Sequence, residues 1–147
     1  MFEFKIEGKE GYIELAILEV FGFPQNTSHN GGYDAKGYIK IKSRGYYAEG
    51  EIWISTGEVY LLYEGLKSAY EKLEGKVEFY ATDGNYLKVD IEFLERGNVS
   101  IKGVYEESYT YENELKFTID SNQSYFEQTL RDLKLIVDEY GDMQGKR

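Results

Sequence analysis

The stretch Glu51-Ile52-Trp53-Ile54-Ser55-Thr56-Gly57-Glu58-Val59-Tyr60-Leu61-Leu62-Tyr63 changes its period at Ser55. Before that residue, Ile52 and Ile54 alternate with Glu51 and Trp53, the spacing of a strand with one buried face. After it, Val59, Tyr63, Leu66, Tyr70 and Leu73 recur every three or four residues, the stripe of an amphipathic helix. Ser55 and Glu58 stand at the spacing of a capping box, in which the Ser oxygen accepts from the backbone three residues on while the Glu reaches back. A strand therefore runs directly into a helix.

The same order recurs 65 residues later. Leu115, Phe117 and Ile119 alternate, Asp120-Ser121-Asn122-Gln123 repeats the box spacing, and Phe126, Leu130, Leu133, Val137 and Tyr140 form a second stripe. Gly75 and Gly141 are expected to stop the two helices. Ahead of the first helix, further inward sets are Phe2, Phe4 and Ile6, then Ile13, Leu15 and Ile17, then Ile39 and Ile41. Ahead of the second they are Val77, Phe79 and Ala81, then Leu87, Val89, Ile91 and Phe93, then Val99, Ile101 and Gly103. Charged residues such as Glu14, Lys40, Lys88, Asp90 and Lys116 take the alternate positions. Short glycine-bearing links at 8–11, 43–45, 83–85 and 96–98 favour antiparallel hairpins, since parallel crossovers need far more chain. The pattern predicts an α+β fold: a curved antiparallel sheet of about eight strands with two helices on one face, a β4α-β4α pseudo-repeat. It further predicts one domain over 1–147, with half-repeats at about 1–75 and 76–142 and a flexible tail at 143–147.

Composition narrows the function. Aromatic residues make up 16% of the chain, with fifteen tyrosines and eight phenylalanines, which suits a folded core with amphipathic edges rather than disorder. Seventeen Lys and Arg against 27 Asp and Glu leave a charge of −10, which repels nucleic acid and favours a cationic partner. No run approaches the roughly 18 apolar residues of a membrane span. Met1-Phe2-Glu3-Phe4-Lys5 lacks the basic and apolar regions of an export signal, so a cytoplasmic location is expected. The absence of cysteine excludes disulfides and thiolate metal sites.

Catalytic constellations are lacking. The one histidine, His29, sits in a polar Gly- and Asn-rich segment with no Ser or Asp spacing that identifies a triad. Gly31-Gly32 precedes an alternating strand rather than a helix, so it is no phosphate loop. Glu106-Glu107 would point to opposite faces of a strand, which unfits them as a shared acid-base pair. No enzyme activity, metal or cofactor is expected.

The surface alphabet is more telling. Tyr105-Glu106-Glu107-Ser108-Tyr109-Thr110-Tyr111-Glu112-Asn113-Glu114 sets three aromatic rings among four acids. Tyrosine supplies contact area at low entropy cost, and carboxylates pair with Lys or Arg. The expected partner-binding residues are Trp53, Tyr105, Glu106, Glu107, Tyr109, Tyr111, Glu112 and Glu114. Tyr109 and Tyr111 share a face if the run is a regular strand. Trp53 has the outward parity of Tyr47, Glu49 and Glu51.

The run Phe21-Gly22-Phe23-Pro24, continuing through Thr27 to Gly31-Gly32-Tyr33-Asp34, resembles the WapI-type immunity proteins that Gram-positive bacteria encode beside large contact-dependent toxins. Ser55-Thr56-Gly57-Glu58 is similar to the same family, as is the tail from Ser124-Tyr125-Phe126 to Tyr140-Gly141-Asp142. The resemblance implies a cytoplasmic protein that binds and neutralises the toxic C-terminal domain of a cognate toxin, often a nuclease and hence basic. It implies no residue map of binding positions. The alternative is a small-molecule carrier with a cavity between sheet and helices. A hydrolase using scattered carboxylates is a weaker third.

Overall fold

A computed structural model describes residues 1–145 of the chain. Strands β1 (Glu3–Gly8), β2 (Gly11–Val20), β3 (Asp34–Ser43) and β4 (Tyr46–Ser55) lead into helix α1 (Thr56–Lys72). Strands β5 (Gly75–Ala81), β6 (Tyr86–Phe93), β7 (Asn98–Glu106) and β8 (Leu115–Asn122) lead, through a short 3-10 turn, into helix α2 (Phe126–Tyr140). The fold is α+β, and its order is the four-strand-and-helix repeat read from the sequence.

The eight strands do not run as one sheet. They form two antiparallel sheets of four, in the orders β1-β2-β3-β4 and β5-β6-β7-β8. After β4 the chain enters α1, which returns it against β5 without pairing β5 to β4. The alternating sets fall as expected: Ile13, Leu15, Ile17, Ile39, Ile52, Val89, Ile91 and Ile101 are all buried. The two buried faces look toward each other, because the Phe4 and Phe79 rings meet edge-on at 6.2 Å. Ile119 of β8 reaches the Gly8 and Gly11 backbone. A Cβ at Gly8 would overlap the Asp120 carbonyl oxygen, so the contact requires glycine there.

Hydrogen bonds seal that end. Lys9 N–H donates to Asp120 O at 2.8 Å, Ser43 Oγ to Thr118 O at 2.7 Å, and Ser121 Oγ to Glu7 O at 2.6 Å. The helices pack on each other, α1 also along β5 and α2 along β1, so they lie together at the side where Phe4 meets Phe79. Thr129 Oγ1 ties α2 to Lys5 O at 2.6 Å.

Helix starts differ between the halves. Ser55 has the extended backbone of an N-cap, its N–H donates to Glu58 Oε1 at 2.8 Å, and Glu58 N–H donates to Ser55 Oγ at 3.2 Å. The expected second box is not one. Asp120, Ser121 and Asn122 continue β8, paired with β7 from Ser100 to Asn98. Asn122 caps only the 3-10 turn, accepting Ser124 N–H at 3.0 Å, and α2 begins at Phe126 with no side-chain cap. The physical reason is competition from the sheet: pairing with β7, together with the bonds of the Asp120 carbonyl and Ser121 hydroxyl to the β1–β2 turn, keeps residues 120–122 extended where a box would need the first helical turn. Gly141 ends α2 as expected, with φ 84°. Leu73 rather than Gly75 takes the left-handed position after α1, at φ 56°, and Gly75 opens β5.

Two junctions position the surface. Gly31-Gly32-Tyr33 docks on the start of α1: Thr56 N–H donates to Tyr33 O and Tyr33 N–H to Thr56 Oγ1, both at 2.8 Å. Gly57 N–H donates to Gly31 O at 3.2 Å, and a Cβ on Gly57 would overlap that carbonyl. In the stretch expected as a tail at 143–147, Gln144 meets the same junction: Gly32 N–H donates to Gln144 O at 2.8 Å and Tyr33 O–H to Gln144 Oε1 at 3.1 Å. Residues 146–147 of that expectation lie outside the described residues. The second junction is Asn85, 1% exposed. Its Oδ1 accepts Trp53 N–H at 2.8 Å and its Nδ2 donates to Ala81 O at 3.0 Å, which stitches β4 of one sheet to the β5–β6 turn of the other.

Replacing Asn85 with Ala leaves the Trp53 N–H and the Ala81 carbonyl unpaired in a dry site, with an expected cost of about 2–3 kcal/mol in urea unfolding. A loss under about 0.5 kcal/mol, the size of an ordinary surface substitution, contradicts the stitch.

Burial pushes the Glu58 carboxyl up from 4.5 to about 7, against the lowering effect of the Ser55 hydrogen bonds and with help from Asp83 and Asp34. A folded pKa above the unfolded one means the native state holds the proton more tightly. This stabilisation is full below about pH 4.5 and is lost as pH rises through about 7. Glu58→Gln keeps the acceptor for Ser55 but does not titrate. Its stability relative to the parent is expected to rise by on the order of 2 kcal/mol between pH 5 and pH 8 in urea melts. A pH-independent difference contradicts the raised pKa.

Candidate functional site

One groove, of about 440 Å³, runs between β4 and the β7–β8 connection. Tyr47, Ala48 and Glu49 form the β4 wall; Tyr105, Glu107, Glu112 and Glu114 come from the end of β7 and the loop 107–114. β4 is the edge of its sheet. Both main-chain polar groups of Trp53 turn away from β3 toward Asn85. The two-residue repeat of an antiparallel strand then turns those of Glu51, Glu49 and Tyr47 the same way, along the groove.

At the floor lies Tyr105, 4% exposed, whose hydroxyl is buried without a hydrogen-bond partner among the described residues. Burial and the neighbouring Glu107 push its pKa up to about 12, so it keeps its proton. A Cβ placed on Gly50 would stand 3.3 Å from both the Tyr105 hydroxyl and Glu107 Oε2, so these two oxygens converge over a glycine. Tyr47 O–H donates to Glu49 Oε2 at 3.0 Å. Glu114 pairs with Lys116 at 3.3 Å, whereas Glu107 and Glu112 have no ion pair among the described residues.

The sequence-predicted residues divide. Tyr105, Glu107, Glu112 and Glu114 share the groove. Glu106 pairs with Tyr86 on the opposite face of β7 from Tyr105, as its parity requires. Residues 107–114 are not a strand, so the shared parity of Tyr109 and Tyr111 does not apply. The Tyr109 hydroxyl turns back to Thr82 O at 2.8 Å and Asn85 O at 2.7 Å, strapping the loop to the β5–β6 turn. Tyr111 stays 67% exposed.

Trp53 lines a second cleft, also of about 440 Å³, with Phe21, Asp34, Glu58, Asp83 and Asn30. Its ring lies 5.7 Å from that of Phe21. The two hollows flank the Asn85 stitch, since Asn85 bonds Trp53 on one side and Tyr109 on the other. Sequence reading missed the contributions of Tyr47, Glu49 and Asn85. The first two carried a signal, the outward parity shared with Trp53; Asn85 looked like any turn residue.

The arrangement suits recognition. Rings and carboxylates line both hollows, and no group of three or more potential metal ligands occurs among the described residues. No described helix is long and apolar enough to cross a membrane. His29 is exposed on its loop. Two segments that carried the family resemblance, around Gly31-Gly32-Tyr33 and Ser55-Thr56-Gly57-Glu58, meet at the start of α1, where Met143 and Gln144, just past α2, join them.

No curated protein matches the chain. The model of the family described as "Immunity protein WapI-like family" matches residues 3–141. A match over nearly all of the 147 residues, taking in both halves and the junction between them, shows that the chain belongs to the WapI-like immunity protein family.

Proposed function

We propose that this immunity protein acts in the cytoplasm, without catalysis, by binding the basic C-terminal domain of a cognate toxin, a nuclease delivered by contact between cells. The observation that carries the reading is the acidic groove, where Glu49, Glu107, Glu112 and Glu114 surround a tyrosine floor. A charge of −10 adds a long-range field that draws a basic domain toward it. Trp53, Tyr109 and Tyr111 add the exposed rings that interface centres favour.

The carrier reading has less support. Between the sheets and helices the space holds the packed side chains of Phe4, Phe79, Leu62, Leu66 and Phe126. The clefts lie at the surface rim instead.

Glu107→Lys with Glu112→Lys replaces attraction by repulsion at two exposed positions. The double variant is expected to keep the parent circular dichroism and melting midpoint, yet to fail to rescue cells co-expressing the cognate toxin domain. The association rate of the parent pair is expected to fall as salt rises from about 0.05 to 0.5 M, since screening shortens the reach of the field. A folded double variant that protects as well as the parent removes this face from the interface.

A further inference from the structure

We infer that the groove between β4 and the loop 107–114 is a receptor for one arginine side chain presented by the partner protein. The inference rests on the partner-binding reading above and gives that face a chemical preference. Acidic residues alone would attract any cation. Tyr105 narrows the choice, because the residue is 4% exposed and lines the groove while its buried hydroxyl has no hydrogen-bond partner among the described residues. A buried polar group left in that state costs free energy, and a partner that supplies a donor recovers it.

Geometry favours a planar donor. Glu107 Oε2 and the Tyr105 hydroxyl converge over Gly50, where any side chain would stand 3.3 Å from each and narrow the floor. Across the groove stands Glu49, with the edge carbonyls of β4 turned the same way as those of Trp53. Acceptors therefore line two walls and the floor. A guanidinium presents five N–H donors in a fixed plane and satisfies several such acceptors at once, whereas an ammonium is a compact, strongly hydrated point charge. The Tyr47 ring, half exposed at the mouth, supplies a face on which a guanidinium stacks. Glu107 and Glu112, without ion pairs among the described residues, supply charge not already spent. Glu114, held by Lys116 at 3.3 Å, contributes less.

The test uses the full chain and two probes, N-acetyl-arginine methylamide and its lysine counterpart, titrated by NMR on the amides of Gly50, Tyr105 and Glu107. The arginine probe is expected to shift these signals saturably and to bind at least about 5-fold more tightly than the lysine probe. Tyr105→Phe is expected to abolish that preference while leaving the fold as stable as the parent, because it deletes an unsatisfied hydroxyl rather than a bond. Equal response to both probes, shifts confined to other regions, or an undiminished preference in Tyr105→Phe each overturn the arginine pocket. The growth-rescue assay on the Glu107→Lys, Glu112→Lys variant separates the two claims. If the arginine probe fails but charge reversal abolishes protection, the face stands and the pocket falls. If the probe binds as expected but the reversed variant still protects, the groove accepts arginine and its use against the toxin falls.

Discussion

Neither half of this chain can bury its own sheet. Each four-stranded sheet has one apolar face, and one helix of 15 or 17 residues covers only part of it. The remainder is covered by the other sheet, so the halves fold against each other and share one core. Everything at the surface follows from that closure. Where the sheets approach most closely, Gly8 and Gly11 admit β8, and the hydroxyls of Ser43 and Ser121 bridge to carbonyls of the opposite sheet. Where they diverge, beside β4, a groove is left open.

The strands were legible because period-two alternation is imposed by burial itself. Ile13, Leu15 and Ile17 read as one face because they are one face, and the same holds for Leu87, Val89 and Ile91. What alternation does not encode is which strand lies beside which after a helix intervenes. β4 and β5 each carry a normal inward set, and nothing in either says that they belong to different sheets. The second capping box failed for a related reason. Asp120 and Gln123 have the spacing of a box, but pairing with β7 and the bond of the Ser121 hydroxyl to the Glu7 carbonyl, 114 residues away, hold this segment in the sheet.

The site shows the same division. Tyr105, Glu107, Glu112 and Glu114 were recognisable by composition, and the fold does gather them. The shared strand parity of Tyr109 and Tyr111 failed because the Tyr109 hydroxyl has two backbone acceptors in the β5–β6 turn that only the folded chain brings near. Asn85 was invisible. Its role depends on an edge strand of the other sheet ending beside it, and a residue with turn propensity carries no mark of that encounter.

The groove also explains why its charge is tolerable. Glu49, Glu107, Glu112 and Glu114 face one another across a solvated rim, where the effective dielectric is high and mutual repulsion is modest. A docked partner removes that water. The same carboxylates then interact through a medium that strengthens every charge effect, so an unneutralised set becomes unfavourable and a cation between them becomes favourable. Specificity would therefore grow as the interface closes: a neutral surface of the same shape would leave Glu107, Glu112 and the Tyr105 hydroxyl desolvated without partners. In the proposed complex, the acidic rim would both attract a basic partner at a distance and penalise a neutral one on contact.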